Sequence, residues 1–262
     1  MNTEPLDVVP LWALFPLTCL LAWLALEGGY RWGRWRHVRA TEEKETPVGA
    51  IVASILGLLA FLLAFTFGLA ASRFDLRRQI VLEEANAIGT TYLRARLLPE
   101  PQQTEIVRLL REYVDVRIRG IEEQKIAETV RRSEELQETL WSETVKASRN
   151  KDSNSVMTGQ FIQSLNQMID LHATRLQVGM RNRIPFSIWL VLFALSFVSM
   201  AGVGYQAGLS ATRRSPAMAA LVVAFAGVLF LIADLDRGHE GFLTVSQQAM
   251  VDLQKSMHAG EP

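Results

Sequence analysis

Four uninterrupted apolar runs, 8–26, 48–71, 186–209 and 217–233, stand out against a chain that elsewhere mixes charge and hydrophobicity at helical spacing. A helix needs roughly 20 apolar residues, at about 1.5 Å of rise each, to cross a hydrocarbon core of about 30 Å. A charge at mid-bilayer costs at least about 2.5 kcal/mol, and none of the four runs holds one. Acidic side chains stand only at their ends, as Asp7, Glu27, Asp75 and Asp234. The pattern predicts four transmembrane helices.

The polar half of the chain also reads as helix. From position 48 to 98 the only interruptions are isolated glycines, and Pro99-Glu100-Pro101 supplies the stop. This predicts one helix of about 50 residues, on the order of 75 Å long, whose second half lies outside the lipid. Over 102–149, Ile106, Leu109, Tyr113 and Val116 recur at three and four, the mark of an amphipathic helix with Gly120 as its weak point. Asn150 to Ser155 reads as a turn. Beyond it Phe161, Leu165, Met168, His172, Leu176 and Gly179 share one face of a helix that should enter the membrane near Ile184-Pro185. No stretch alternates as a strand does. The expected fold is all-α: four transmembrane helices with a helical stalk, two spans continuing as long helices into it. The expected divisions are 1–71 (two spans and a basic connector), 72–185 (water-exposed stalk), 186–234 (two spans) and 235–262 (polar tail).

Charge sharpens this picture. The 262 residues balance 27 Lys and Arg against 27 Asp and Glu, which hides two phases behind one average. The stalk alone carries 18 basic and 16 acidic residues, an ordinary water-exposed mixture. A nucleic-acid surface would be clustered and strongly basic, so nucleic acid is excluded as a partner. The lone Cys19 sits inside the first run and admits no intrachain disulfide. A lipoprotein cleavage site is poorly matched by Pro16-Leu17-Thr18, and 1–10 lacks a basic leader, so the first run reads as a retained span. Past it, Arg31-Trp32-Gly33-Arg34-Trp35-Arg36 reads as an interfacial anchor. Thr46 and Pro47 read as the cap and first position of the second span.

With four spans, the N-terminus, the stalk and the segment after Asp234 share one side of the membrane. Charged groups that this brings to one face, Arg73, Asp75, Glu83, Glu84, Asp170, Arg175, Asp234, Asp236 and Arg237, form a candidate vestibule, or else staple a bundle by ion pairs. Basic residues near the spans do not choose the side. The connectors hold Arg31, Arg34, Arg36, Arg39, Lys44 and the hairpin's Arg213 and Arg214, against seven arginines opposite. The first span, with basic residues only after it, places the stalk outside the cytoplasm.

Enzymatic constellations are missing: there is no HExxH, P-loop, GxSxG or GxGxxG, and no cofactor or metal is expected. The four histidines are scattered, and His172 reads as a core histidine. The segment from Asp234 to Glu240 starts like a calcium loop, but Gly238, His239 and Val245 break the ligand pattern. The second span is more suggestive. Gly49, Ala53 and Gly57, then Ala60, Ala64 and Gly68, form rows of small residues, with Phe61 and Phe65 one turn apart and Thr66 the only hydroxyl nearby. Such a row suits close helix packing or a hydrophobic constriction, with Phe61, Phe65 and Gly68 as candidate pore-lining residues.

At these residues the chain resembles the bacterial bestrophin-like family. The similarity lies in Leu62 through Asp75, in Glu83 through Thr90, in Tyr92-Leu93-Arg94-Ala95, in Ile169-Asp170-Leu171-His172, in Arg181 through Pro185, in Gly204 through Gly208 and in Asp234-Leu235-Asp236-Arg237. The resemblance implies a multi-pass protein of the bacterial cytoplasmic membrane, a homo-oligomer and by analogy a pentamer, conducting small anions past a hydrophobic neck on the second span. It also implies a cytoplasmic stalk, against the first span's charge. The Asn- and Trp-rich stretch that follows the second span in bacterial bestrophins is absent, and Glu83-Glu84 suits an anion path poorly. The competing expectation is a non-conducting scaffold or sensor whose stalk binds a partner.

Overall fold

A computed structural model describes residues 9–39, 45–122, 125–181, 183–210, 215–237 and 241–259. Eight helices appear in order among them: α1 (Leu11–Val38), α2 (Glu45–Ala95), α3 (Gln102–Glu122), α4 (Ile126–Arg149), α5 (Ser155–Arg181), α6 (Phe186–Leu209), α7 (Pro216–Arg237) and α8 (Gln248–Ala259). Among the described residues there is no strand. Helices α1, α2, α6 and α7 are long and apolar enough to cross a membrane. The hairpin with Arg213 and Arg214, the connector residues 40–44, Gly238 and His239 lie outside the described residues, as does the Thr46 side chain.

The chain divides into two compact units, 1–74 with 183–244, and 75–182 with 245–262. In the first, α1 and α6 run parallel along a seam of glycines. A Cβ on Gly29 would stand 2.0 Å from the Ala201 carbonyl oxygen, and one on Gly33 would stand 2.2 Å from that of Tyr205. From the other helix, a Cβ on Gly204 would meet the Leu26 carbonyl oxygen at 1.9 Å, and one on Gly208 that of Tyr30 at 2.3 Å. Both helices therefore carry glycines four apart, which lets their backbones touch in a way no other residue permits. Toward the other end of α6, Leu59, Leu63 and Ala70 of α2 pack with Trp189 and Leu192 of α6 and Leu229 and Ile232 of α7.

In the second unit the amphipathic stretch 102–149 is two helices, not one. The chain leaves α3 after Glu122 and returns as α4, and Gly120 permits the return: a Cβ there would lie 1.7 Å from the Thr129 hydroxyl. The apolar residues spaced along α3 (Ile106, Leu109, Tyr113) are buried with Ile88 and Tyr92 of α2, Leu136 and Leu140 of α4, and Phe161, Leu165 and Met168 of α5. The segment expected as a polar tail contains α8, which buries Met250 and Met257 in this same core. Its end is held by the Met257 carbonyl, which accepts from Tyr92 Oη at 3.2 Å and Arg111 Nη2 at 2.9 Å.

Of the two long helices expected to join stalk and span, α2 is continuous for 51 residues. The other is interrupted: α5 ends at Arg181 and α6 starts at Phe186, with Pro185 as its N-cap residue. Proline disfavours helical backbone in the residue before it and has no N–H to continue the ladder. The freed Ile184 N–H donates instead to Asp236 Oδ1 at 2.9 Å.

Candidate functional site

The outward face of α2 is the first candidate. Phe61 and Phe65 are 65% and 67% exposed, and Leu58 beside them is 50% exposed. Gly57 and Gly68 share this face, and a Cβ on either would meet nothing within 4 Å. The opposite face, with Val52, Leu59, Leu63 and Ala70, is buried. Thr66 is buried as well, its hydroxyl donating to the Leu62 carbonyl of its own helix at 2.7 Å. The exposed face is therefore wholly apolar around the two phenylalanines. Of the small residues in this row, Gly57 and Gly68 are not consumed by packing against the described residues, whereas Gly49 sits against Gln206 of α6, where a Cβ would lie 2.7 Å from Nε2.

The charged residues expected to form a vestibule separate into three groups. Glu84 and Arg175 come together in the interior of the second unit. Glu84 is fully buried and also pairs with Arg117, Nη2 to Oε1 at 3.0 Å. Arg175 reaches on to Gln247 Oε1 at 2.8 Å. Tyr113 Oη lies 3.4 Å from Glu84 Oε1 and 3.1 Å from His172 Nδ1, and accepts from Gln137 Nε2 at 3.3 Å. Burial alone would push the Glu84 carboxyl up, but the guanidinium groups of Arg117 and Arg175 outweigh it and hold the carboxyl below its ordinary range. Arg175 is itself pushed down, by burial and by Arg117. One carboxylate faces two guanidiniums, so the cluster is net cationic. His172 feels the same burial and the same positive charge, which lower its pKa to about 4. It is neutral at physiological pH, and its buried Nε2 has no hydrogen-bond partner among the described residues.

Asp234 and Asp236 close the end of α7. Asp234 accepts from the backbone N–H of Phe242 at 2.8 Å and of Leu243 at 3.2 Å, while Asp236 takes Ile184 N–H and lies 3.8 Å from Arg183 Nε. Arg237 is buried at the same helix end. These carboxylates serve local backbone, and among the described residues no group of three His, Cys, Asp or Glu is placed to hold a metal ion. The third group stays at the surface. Asp75 and Glu83 are exposed and Arg73 is half-buried, with Glu83 accepting from Gln79 at 2.7 Å. Asp170 lines an open groove of about 510 Å³ on α5 with Gln163, Asn166 and Thr174.

Sequence reasoning missed Arg117, Tyr113 and Gln137 as members of the buried cluster. Tyr113 was legible only as an apolar position of α3, and Arg117, four residues on, carried the signal of a cation on that same buried stripe.

Four apolar helices with a separate helical unit define a multi-pass membrane protein. A bestrophin-like domain profile matches residues 19–250, and the chain belongs to the bestrophin-like family. Its fold is similar to the crystal structure of a bacterial bestrophin homologue from Klebsiella pneumoniae, with a TM-score of 0.66 at 14% identity over 95% of this chain and 98% of that one. A point variant of that homologue gives a TM-score of 0.70 at 13% identity, over 96% of this chain and 99% of its own. No curated protein matches the sequence.

Proposed function

We propose that the chain is one subunit of a homo-oligomeric ring in the bacterial cytoplasmic membrane, a pentamer by family analogy, which passes small anions along the outward face of α2. Phe61, Phe65 and Gly68 form its constriction, and the phenylalanine rings gate by excluding water from a narrow apolar neck. The observation that carries this reading is the uncovered aromatic face itself: two phenylalanines one turn apart, flanked by glycines at which an added Cβ would meet none of the described residues. Copies arranged about an axis would bring that face together, and Gly57 and Gly68 would permit close approach. The exposed charges Asp75, Glu83 and Asp170 would then be the part of the vestibule left free to meet ions. No enzymatic role is proposed.

A second reading, a non-conducting scaffold or sensor, draws support from the fate of Glu84, Arg175, Asp234 and Asp236. All four serve internal contacts rather than an open mouth. The two readings part on one pair of measurements. The channel reading expects a ring-sized particle after detergent solubilisation and anion current from that particle in planar bilayers. A monomeric, electrically silent particle would favour the scaffold.

A further inference from the structure

The last two turns of α1 lie beyond its apolar stretch, and their outward face is built differently from the rest of the helix. On the side of α1 away from the glycine seam, Leu17, Leu20 and Leu24 are exposed, 41%, 55% and 55%. The same side of the helix continues into Arg31, Arg34 and Trp35, with Arg39 just past its end, all four exposed. Leu24 and Arg34 are ten residues apart, about 15 Å of helix, which is half the thickness of a hydrocarbon core. The nearest exposed leucine thus lies about one leaflet's depth from a cluster of guanidinium groups.

Three details shape that cluster. Arg31 is already paired with Glu27, Nε to Oε1 at 2.8 Å, so the one carboxylate on this part of α1 is neutralised. Arg39 is stacked over the Trp35 ring, 4.3 Å from its centroid, which fixes a cation against an aromatic ledge at interfacial depth. A second indole, Trp32, packs against Tyr205 of α6 with ring centroids 5.5 Å apart. The next acidic residues in sequence, Glu42 and Glu43, lie outside the described residues.

We propose that this face is a binding site for one anionic phospholipid: its phosphate and headgroup on Arg34 and Arg39 beside Trp35, its acyl chain running down to Leu24 and Leu20. Guanidinium groups bind phosphate oxygens in a planar fork, and each basic side chain near an anionic headgroup strengthens association. The apolar track selects a lipid over a free phosphate, because a soluble anion gains nothing from the leucines.

Native mass spectrometry of the full chain in detergent, titrated with phosphatidylglycerol or with phosphatidylcholine of the same acyl chains, tests the proposal. Phosphatidylglycerol adducts should survive in clear excess and weaken as salt is raised. Arg34→Gln and Arg39→Gln should each lower that retention about fivefold, while Arg131→Gln, on the exposed side of α4, should leave it unchanged. Glycerol phosphate, which has the headgroup without chains, should not compete. Equal retention of the two lipids by the wild type, or an undiminished preference in a folded Arg34→Gln/Arg39→Gln protein, overturns the site. Effective competition by glycerol phosphate overturns its assignment to a lipid. Should the double variant fail to fold, the wild-type lipid ratio and its salt dependence still decide.

Discussion

Glu84 of α2 and Arg175 of α5, 91 residues apart in sequence, form an ion pair in the interior of the second unit. Arg117 of α3 completes it from a third helix. Three helices therefore meet on one buried carboxylate, and removing it leaves two guanidiniums uncompensated away from water. Breaking such a buried pair from one side typically costs about 3–5 kcal/mol. Glu84→Gln should lower the thermal midpoint of the solubilised protein sharply, whereas Glu83→Gln, exposed one residue earlier, should change stability by about 0.5 kcal/mol or less. Circular dichroism melts of the two variants side by side give the comparison, and equal midpoints would contradict the central role of Glu84.

The same cluster makes the second unit sensitive to acid. His172 is 3% exposed and its pKa falls to about 4, against about 6.5 in an unfolded chain. Between those values the unfolded chain binds a proton that the folded one does not, so folding stability decreases as pH falls through this window. The full difference is about 3 kcal/mol. Glu84 acts lower down: its carboxyl is depressed in the folded state, so its contribution is present above the unfolded carboxylate range and is lost as pH falls through the folded value. Denaturation midpoints measured between pH 7 and pH 4 should therefore drop, and His172→Gln should flatten that drop. A wild-type midpoint that is level across the window would exclude the effect.

Glycines on the membrane helices divide into two kinds with opposite expected responses. Gly33→Ala and Gly204→Ala place a Cβ 2.2 Å and 1.9 Å from carbonyl oxygens, so α1 and α6 must separate. Overpacking of this kind typically costs about 1–3 kcal/mol. Gly57→Ala and Gly68→Ala meet none of the described residues and remove a poor helix former, a gain of up to about 1 kcal/mol in the subunit. Thermal midpoints of the isolated protein should fall for the first pair and hold or rise for the second. A shift in particle mass confined to Gly57→Ala and Gly68→Ala would mark their face as an interface between copies.

The four spans, the all-helical class and the unbroken α2 were legible because each is written in local pattern: apolar length, helical period and the absence of breakers. The α1–α6 seam was legible in principle, since Gly29 and Gly33, and Gly204 and Gly208, repeat at four. Their spacing does not state which helix they touch, and Gly28-Gly29 reads equally well as the end of a span. The interruption at Pro185 followed from proline chemistry, yet a kink and a full break differ by whether a partner exists for the freed N–H. Asp236, 52 residues away, supplies it. The buried cluster was the least legible, because Glu83 and Glu84 are chemically identical neighbours. Only the placement of Arg117 and Arg175 makes one a core residue and leaves the other in solvent.

The aromatic face of α2 gives the sharpest functional test. A buried phenylalanine replaced by alanine typically costs about 3–5 kcal/mol. Phe61 and Phe65 are two-thirds exposed in the subunit, so most of that penalty does not apply to its fold. The Phe61→Ala/Phe65→Ala protein should therefore remain folded, with a helical spectrum matching the wild type. If these rings close an apolar neck between subunits, their loss widens and wets it, and current through the purified protein in planar bilayers should rise above the wild-type level. If they face lipid, the same substitution exchanges one apolar surface for a smaller one and leaves the bilayer current where it was. A folded double variant that is silent beside a silent parent would retire the channel reading and leave the scaffold in its place.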